Sequence, residues 1–160
     1  MPEDVIPSRA APAGGKADHQ LVLERLIPAS PERVFDAWVD PGLLVQWWGP
    51  EGFSTPEVKI DVRRDGRWRT VMLAPDGGRH IVSGVYRTID RPQRLVFTWA
   101  WEDDAGRRGH ESEVEVTFRR AGSGTVMELV HRLLDNIESR DSHREGWASS
   151  LNDLERLFSR

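Results

Sequence analysis

The side chains best suited to chemistry in this chain are three of its five histidines, His110, His131 and His143. Each falls where the local period turns it toward an apolar face. Neutral imidazole is a common metal ligand and an acid/base group near neutral pH, so three of them facing one space would suit a metal site or a polar corner of a pocket. The spacing favours the pocket. The three sit on different segments, no short ligand motif joins them, and no Asp or Glu shares their direction. We therefore expect no metal and no cofactor, and we take His131 as the preferred polar contact for a ligand. Nucleophilic or acid/base catalysis needs a nucleophile within reach of a base, or carboxylates in contrasting environments. Ser83 and Ser112 have no evident partner. Glu113, Glu115 and Glu128 alternate with apolar residues and read as a solvated sheet face, so no catalytic residue is assigned.

A second unusual group is aromatic: seven Trp against one Tyr. Each large ring can bury roughly 150 to 250 Å², more than closure of a small core requires. The expected wall of an enclosed apolar cavity comprises Trp68, Met72, Val82, Tyr86, Phe97, Trp99, Trp101, Met127, Leu129 and Trp147, with Leu151 below. Trp38, Trp47 and Trp48 are placed at its rim. Small-molecule sites have this character, mostly apolar with a few polar groups; the competing reading is an ordinary packed core.

The elements that must position these residues follow from periodicity. In Ser139 to Phe158, Trp147, Leu151, Leu154 and Phe158 recur at steps of four, three and four, and His143 joins the stripe, which predicts a long amphipathic helix. Residues 19–27 alternate as a first strand. Ser30 before Pro31, and Asp40 before Pro41, are caps followed by proline at the first helical position, so two short helices are expected, the second running through GLLVQWW to a stop at Gly49-Pro50. From Ser54 onward the period is two. A loop at 76–78 sets Met72 against Val82, Thr70 against Gly84 and Trp68 against Tyr86. A loop at 90–93 sets Tyr86 against Phe97, Gly84 against Trp99 and Val82 against Trp101. A loop at 103–108 puts His110 beside Trp101, and one at 121–124 sets Phe118 against Met127, Val116 against Leu129 and Val114 against His131. All these hairpins share one apolar face, which a one-residue slip would break. Gly84 is expected to leave room for Trp99, and Gly146 to mark a close approach of the helix to the sheet. The loop 102–109 reads as solvated, with a lip over the cavity as the alternative. The fold class is α+β: a strand, two small helices, a meander of about six strands and a C-terminal helix across the antiparallel sheet.

Composition narrows the function. With 160 residues and 38% hydrophobic content, one domain is expected, residues 19–160, after a disordered lead-in at 1–18. A net charge of -4, with Arg63, Arg64, Arg67 and Arg69 interleaved among strand residues, disfavours nucleic acid. No apolar run approaches the ~20 residues of a membrane span and no apolar signal core opens the chain, so no membrane insertion and a cytoplasmic location are expected. The absence of cysteine excludes disulfides and thiolate metal sites.

The strings SPERVFDAWVDPGLLVQWWGPEGF, PDGG before the strand carrying Gly84, RPQRLVFTWAW and HREGWASSLNDLERLF resemble the START-like (SRPBCC) superfamily. The similar branch is the group named after the activator of the Hsp90 ATPase, matched from about Leu21 to Phe158. The resemblance implies a helix-grip fold, with a curved sheet of about six to seven strands around the C-terminal helix and a cavity between them. Relatives bind lipids, polyketides and hormones, some act as cyclases, and others bind Hsp90. The first expectation is therefore a non-catalytic binder of a small hydrophobic ligand, for transport, sensing or sequestration. The alternatives are a protein-interaction module of the Hsp90-activator type and a polyketide cyclase-like enzyme using cavity histidines. A homodimer is left open.

Overall fold

The computed structural model describes residues 19–159, so the expected lead-in at 1–18 lies outside the described residues. Strand β1 (His19–Ile27) is followed by helices α1 (Pro31–Val39) and α2 (Pro41–Leu44). Six strands come next: β2 (Ser54–Ile60), β3 (Arg67–Leu73), β4 (Arg79–Asp90), β5 (Arg94–Glu102), β6 (Ser112–Ala121) and β7 (Gly124–Leu134). Helix α3 (Ile137–Ser159) closes the chain. The seven strands form one antiparallel sheet in the order β1-β7-β6-β5-β4-β3-β2. With a helix laid across one face, this is the expected helix-grip architecture.

Both short helices start as their sequence dictates. The Ser30 hydroxyl accepts from the Arg33 amide, and the Asp40 carboxylate from the Gly42 amide. Each cap thus satisfies a backbone donor that the first turn leaves without a partner. Helix α2 is shorter than GLLVQWW. The chain leaves it through tight turns that bury Trp47 and Trp48, with the Trp47 indole donating to the Ala37 carbonyl.

The β6–β7 register is as expected, with Phe118 opposite Met127 and Val114 opposite His131. The β4–β5 register is as expected at Val82–Trp101 and Tyr86–Phe97. The β3–β4 pairing differs by two residues: Met72 faces His80, Thr70 faces Val82 and Trp68 faces Gly84. Pro75 explains the shift. It cannot donate to a ladder, so it is taken into the turn, which closes through Gly77 N–H to Ala74 O with Gly77 at φ +87°. A shift of two preserves facing, so Trp68, Thr70 and Met72 remain buried. Gly84 also differs from expectation. A Cβ there would lie 1.9 Å from the Thr98 carbonyl oxygen and 2.7 Å from Trp68 Nε1, so the glycine admits backbone and Trp68 rather than the Trp99 ring.

The core lies between the inner sheet face, α1, α2 and α3. Trp38, Trp48, Phe97, Met127, Leu129, Trp147 and Leu151 are all buried in it. The outer face carries the expected charges, where Arg132 bridges Glu113 and Glu115 and Arg94 also holds Glu115.

Candidate functional site

Where the N-terminal half of α3 crosses the sheet, the core does not close. A half-open cleft of about 280 Å³ remains there in place of a sealed chamber. Ser142, His143, Gly146, Trp147 and Ser150 form its helical wall, because steps of three and four put them on one face. Trp99 and Trp101 from β5 and Met72 from β3 form the sheet wall. The α2–β2 connection supplies Trp48, Gly49, Pro50 and Phe53, and His80 stands exposed beside Phe53 at the mouth.

Of the residues expected to touch a ligand, Trp48, Met72, Trp99, Trp101, His143 and Trp147 meet at this cleft. Trp38, Trp68, Tyr86 and Phe97 lie deeper, around a void of only about 10 Å³, and form packed core. Met127 and Leu151 are fully buried. Trp38 packs at a tilt against Trp147 and edge-on against Trp48, which line the cleft, so it supports the wall from behind.

The histidines separate into three environments. His131 is fully buried behind Trp99 and Trp147. An indole N–H can only donate, so the 3.0 Å contact from Trp147 makes His131 Nδ1 an acceptor. Nε2–H then donates to Ser112 Oγ at 2.7 Å, and that hydroxyl donates to the Trp99 carbonyl. Both ring nitrogens are thus committed inside the protein, whereas the sequence reading placed His131 against the ligand. Burial, with the nearby charges of His143 and Arg132, pushes its pKa well below the ordinary range.

His143 is the imidazole at the cleft. Its Nδ1 lies 2.7 Å from the Ser139 carbonyl, which can only accept, so Nδ1 carries the proton and Nε2 is an acceptor. The indole N–H groups of Trp101 and Trp99 both aim at Nε2, at 3.0 and 3.3 Å. Burial lowers this pKa too, against the opposing pull of the Ser139 carbonyl and Asp135.

His110 is not on the inner face. The β5–β6 register holds at Trp99–Ser112, but at the strand ends Glu102 bridges Arg108 and Gly109 N–H bonds Trp101 O, a slip of one residue that turns His110 outward. It is exposed, 2.6 Å from the carbonyl of Leu133, whose φ is +66°. The adjoining charged loop folds onto the outer face through Arg108 to Ser83 and does not overhang the cleft. Gly146 also departs from expectation, since the nearest atom to a Cβ there would be Pro50 Cγ at 4.0 Å, not the sheet.

No group of three or more His, Cys, Asp or Glu that could hold a metal occurs among the described residues, and no described helix is long and apolar enough to cross a membrane. The cleft residues missed from sequence are Gly49, Pro50, Phe53, His80, Ser142, Gly146 and Ser150. Ser142, Gly146 and Ser150 carried a signal, being on the stripe of His143 and Trp147. The other four sit in a connection or at a strand end, where no period operates.

The family model described as "Activator of Hsp90 ATPase homolog 1-like protein" matches residues 28–159. Among solved structures, the chain is similar to an AHSA1 protein from Silicibacter pomeroyi, at 41% identity and TM-score 0.81, over 88% of this chain and 98% of that one. A protein from Chromobacterium violaceum is 30% identical, with TM-score 0.78 over 88% and 97%. A third, from Rhizobium leguminosarum, is 26% identical, with TM-score 0.77 over 89% and 95%. No functionally curated protein matches.

Proposed function

Because this chain belongs to the Activator of Hsp90 ATPase homolog 1-like family, within the START-like superfamily, we propose that it binds a small apolar or aromatic molecule between α3 and the sheet. Transport, sensing or sequestration in the cytoplasm would each use such binding. The observation that carries this reading is the cleft itself. It is walled by Trp48, Phe53, Met72, Trp99, Trp101 and Trp147, with His80, His143, two serines and the indole N–H groups of Trp99 and Trp101 as its side-chain polar groups. That is the composition of a small-molecule site. Trp38, Trp68, Tyr86, Phe97, Met127, His131 and Leu151 act as its rigid backing. His110, exposed ahead of β6 and absent from the cleft lining, takes no part.

Binding to the native state raises stability by mass action, about 2.7 kcal/mol at a hundredfold excess over Kd. Thermal melts and tryptophan fluorescence against a panel of one- and two-ring aromatic compounds are therefore expected to give several hits. If no compound raises the melting temperature and purified Hsp90 hydrolyses ATP faster with the protein present, the interaction-module reading replaces this one.

A further inference from the structure

The seven tryptophans do not share hydrogen-bond acceptors evenly. Trp47, Trp48, Trp68 and Trp147 each donate to an acceptor of their own: the Ala37 carbonyl, the Thr70 hydroxyl, the Thr98 carbonyl and His131 Nδ1. Trp99 and Trp101 at the cleft both point at His143 Nε2. That nitrogen has one in-plane lone pair and can serve one donor well. Trp38, one ring behind the cleft, has a buried N–H with no partner. Trp38 does not line the cleft, but of the two donors that do, one is left poorly served by the shared lone pair, so this wall favours a guest that brings an acceptor.

Two further observations narrow the guest. No Arg, Lys, Asp or Glu lines the cleft, so an ionised ligand would be desolvated without a counter-charge. The volume of about 280 Å³ is just under the roughly 300 Å³ lower bound of ordinary ligand sites, which limits the guest to one or two rings.

We infer that the ligand is a neutral one- or two-ring aromatic molecule bearing a carbonyl oxygen. The oxygen accepts one of the indole N–H groups of Trp99 and Trp101 while His143 keeps the other, and the rings lie against Trp48 and Trp147. This rests on the small-molecule reading and gives it a chemical class.

The test uses the full chain with α-tetralone, its parent hydrocarbon tetralin, and naphthoate as the anionic control, by calorimetric titration and by NMR of the indole N–H groups. The expected result is α-tetralone binding about three- to tenfold tighter than tetralin, the worth of one hydrogen bond. The Trp99 and Trp101 indole signals should move while that of Trp47 stays. In Trp101→Phe, a change at a half-exposed ring, the ratio should fall toward one. Equal affinities for ketone and hydrocarbon, or a ratio unchanged in both Trp99→Phe and Trp101→Phe, would overturn the inference and leave the binding function standing. Naphthoate binding tighter than α-tetralone would overturn the neutral carbonyl. Binding of none of the three would overturn both.

Discussion

His131 and His143 lie with ring centroids 4.9 Å apart, yet they serve different ends. His131 ties β7 to β6 and α3 through Ser112 and Trp147, so its replacement is foremost a stability change. His131→Leu leaves the Trp147 indole N–H buried without an acceptor, and a loss of about 2 to 4 kcal/mol is expected in urea unfolding. A loss below about 0.5 kcal/mol would refute that role. Both imidazoles are held neutral below the ordinary histidine pKa. As pH falls through about 6.5, the unfolded chain takes up protons that the folded one refuses. Stability should therefore be level above that point and decline below it, by up to about 1.4 kcal/mol per pH unit for each histidine. Burial pushes Glu102 and Glu115 upward, but hydrogen bonds from Arg69 and Ser83 to Glu102 and from Arg94 and Arg132 to Glu115, together with the charges of nearby arginines, outweigh it and hold both low. Their contribution is lost only at still lower pH. Melts from about pH 8 to pH 5 check the sign, and a profile with no decline below pH 6.5 would contradict it. The inward direction of His131 could be read from strand parity. Its commitment to Trp147 and Ser112 could not, because that depends on how α3 is rotated over β7, which the period of neither element specifies.

At the scale of elements, what the hairpins kept or lost depended on whether a shift was even or odd. Pro75 moved the β3–β4 register by two, and every inward residue stayed inward. The single-residue slip between Trp99–Ser112 and Glu102–Arg108 reversed His110. Alternation thus recovered most of the core even where the pairings were wrong, and it failed only where a strand end ran out of ladder. In α3, Gly146 occupies a helix interior, where it costs about 1 kcal/mol relative to alanine. An added Cβ would meet only Pro50, at an ordinary contact distance. Gly146→Ala is thus expected to stabilise the protein by about 0.5 to 1 kcal/mol, raising Tm by a few degrees, while narrowing the cleft and weakening any guest that fills it. Thermal melts and titrations on the one variant measure both effects. A destabilised variant would mean that the glycine is required by a contact other than Pro50.

Across the whole molecule, the sheet and α3 form a stiff aromatic body, and the cleft is the place where irregular chain meets it. Segment 49–53 forms that side of the cleft between α2 and β2 and contains Gly49 and Gly52 at positive φ. It is tied to α3 by the Glu51 amide donating to Ser149 Oγ at 2.8 Å, while the adjoining Thr55 hydroxyl donates to the Trp48 carbonyl. From sequence, Gly49-Pro50 could be read only as a helix stop, since a turn without a period says nothing of what it faces. Opening this segment breaks few bonds and exposes little core, whereas opening β4 to β7 dismantles the ladder that supports the tryptophans. Hydrogen exchange should therefore show Glu51 exchanging through a local opening and the amides of β5 and β6 exchanging near the global unfolding limit. Ser149→Ala removes the tie and is expected to speed exchange at Glu51 by about three- to tenfold, with a change of less than about 1 kcal/mol in global stability. A bound guest packed against Pro50 and Phe53 should slow the same amide. If Glu51 exchanges only with global unfolding, and Ser149→Ala leaves its rate unchanged, the segment is part of the rigid body and ligand entry must occur without its displacement.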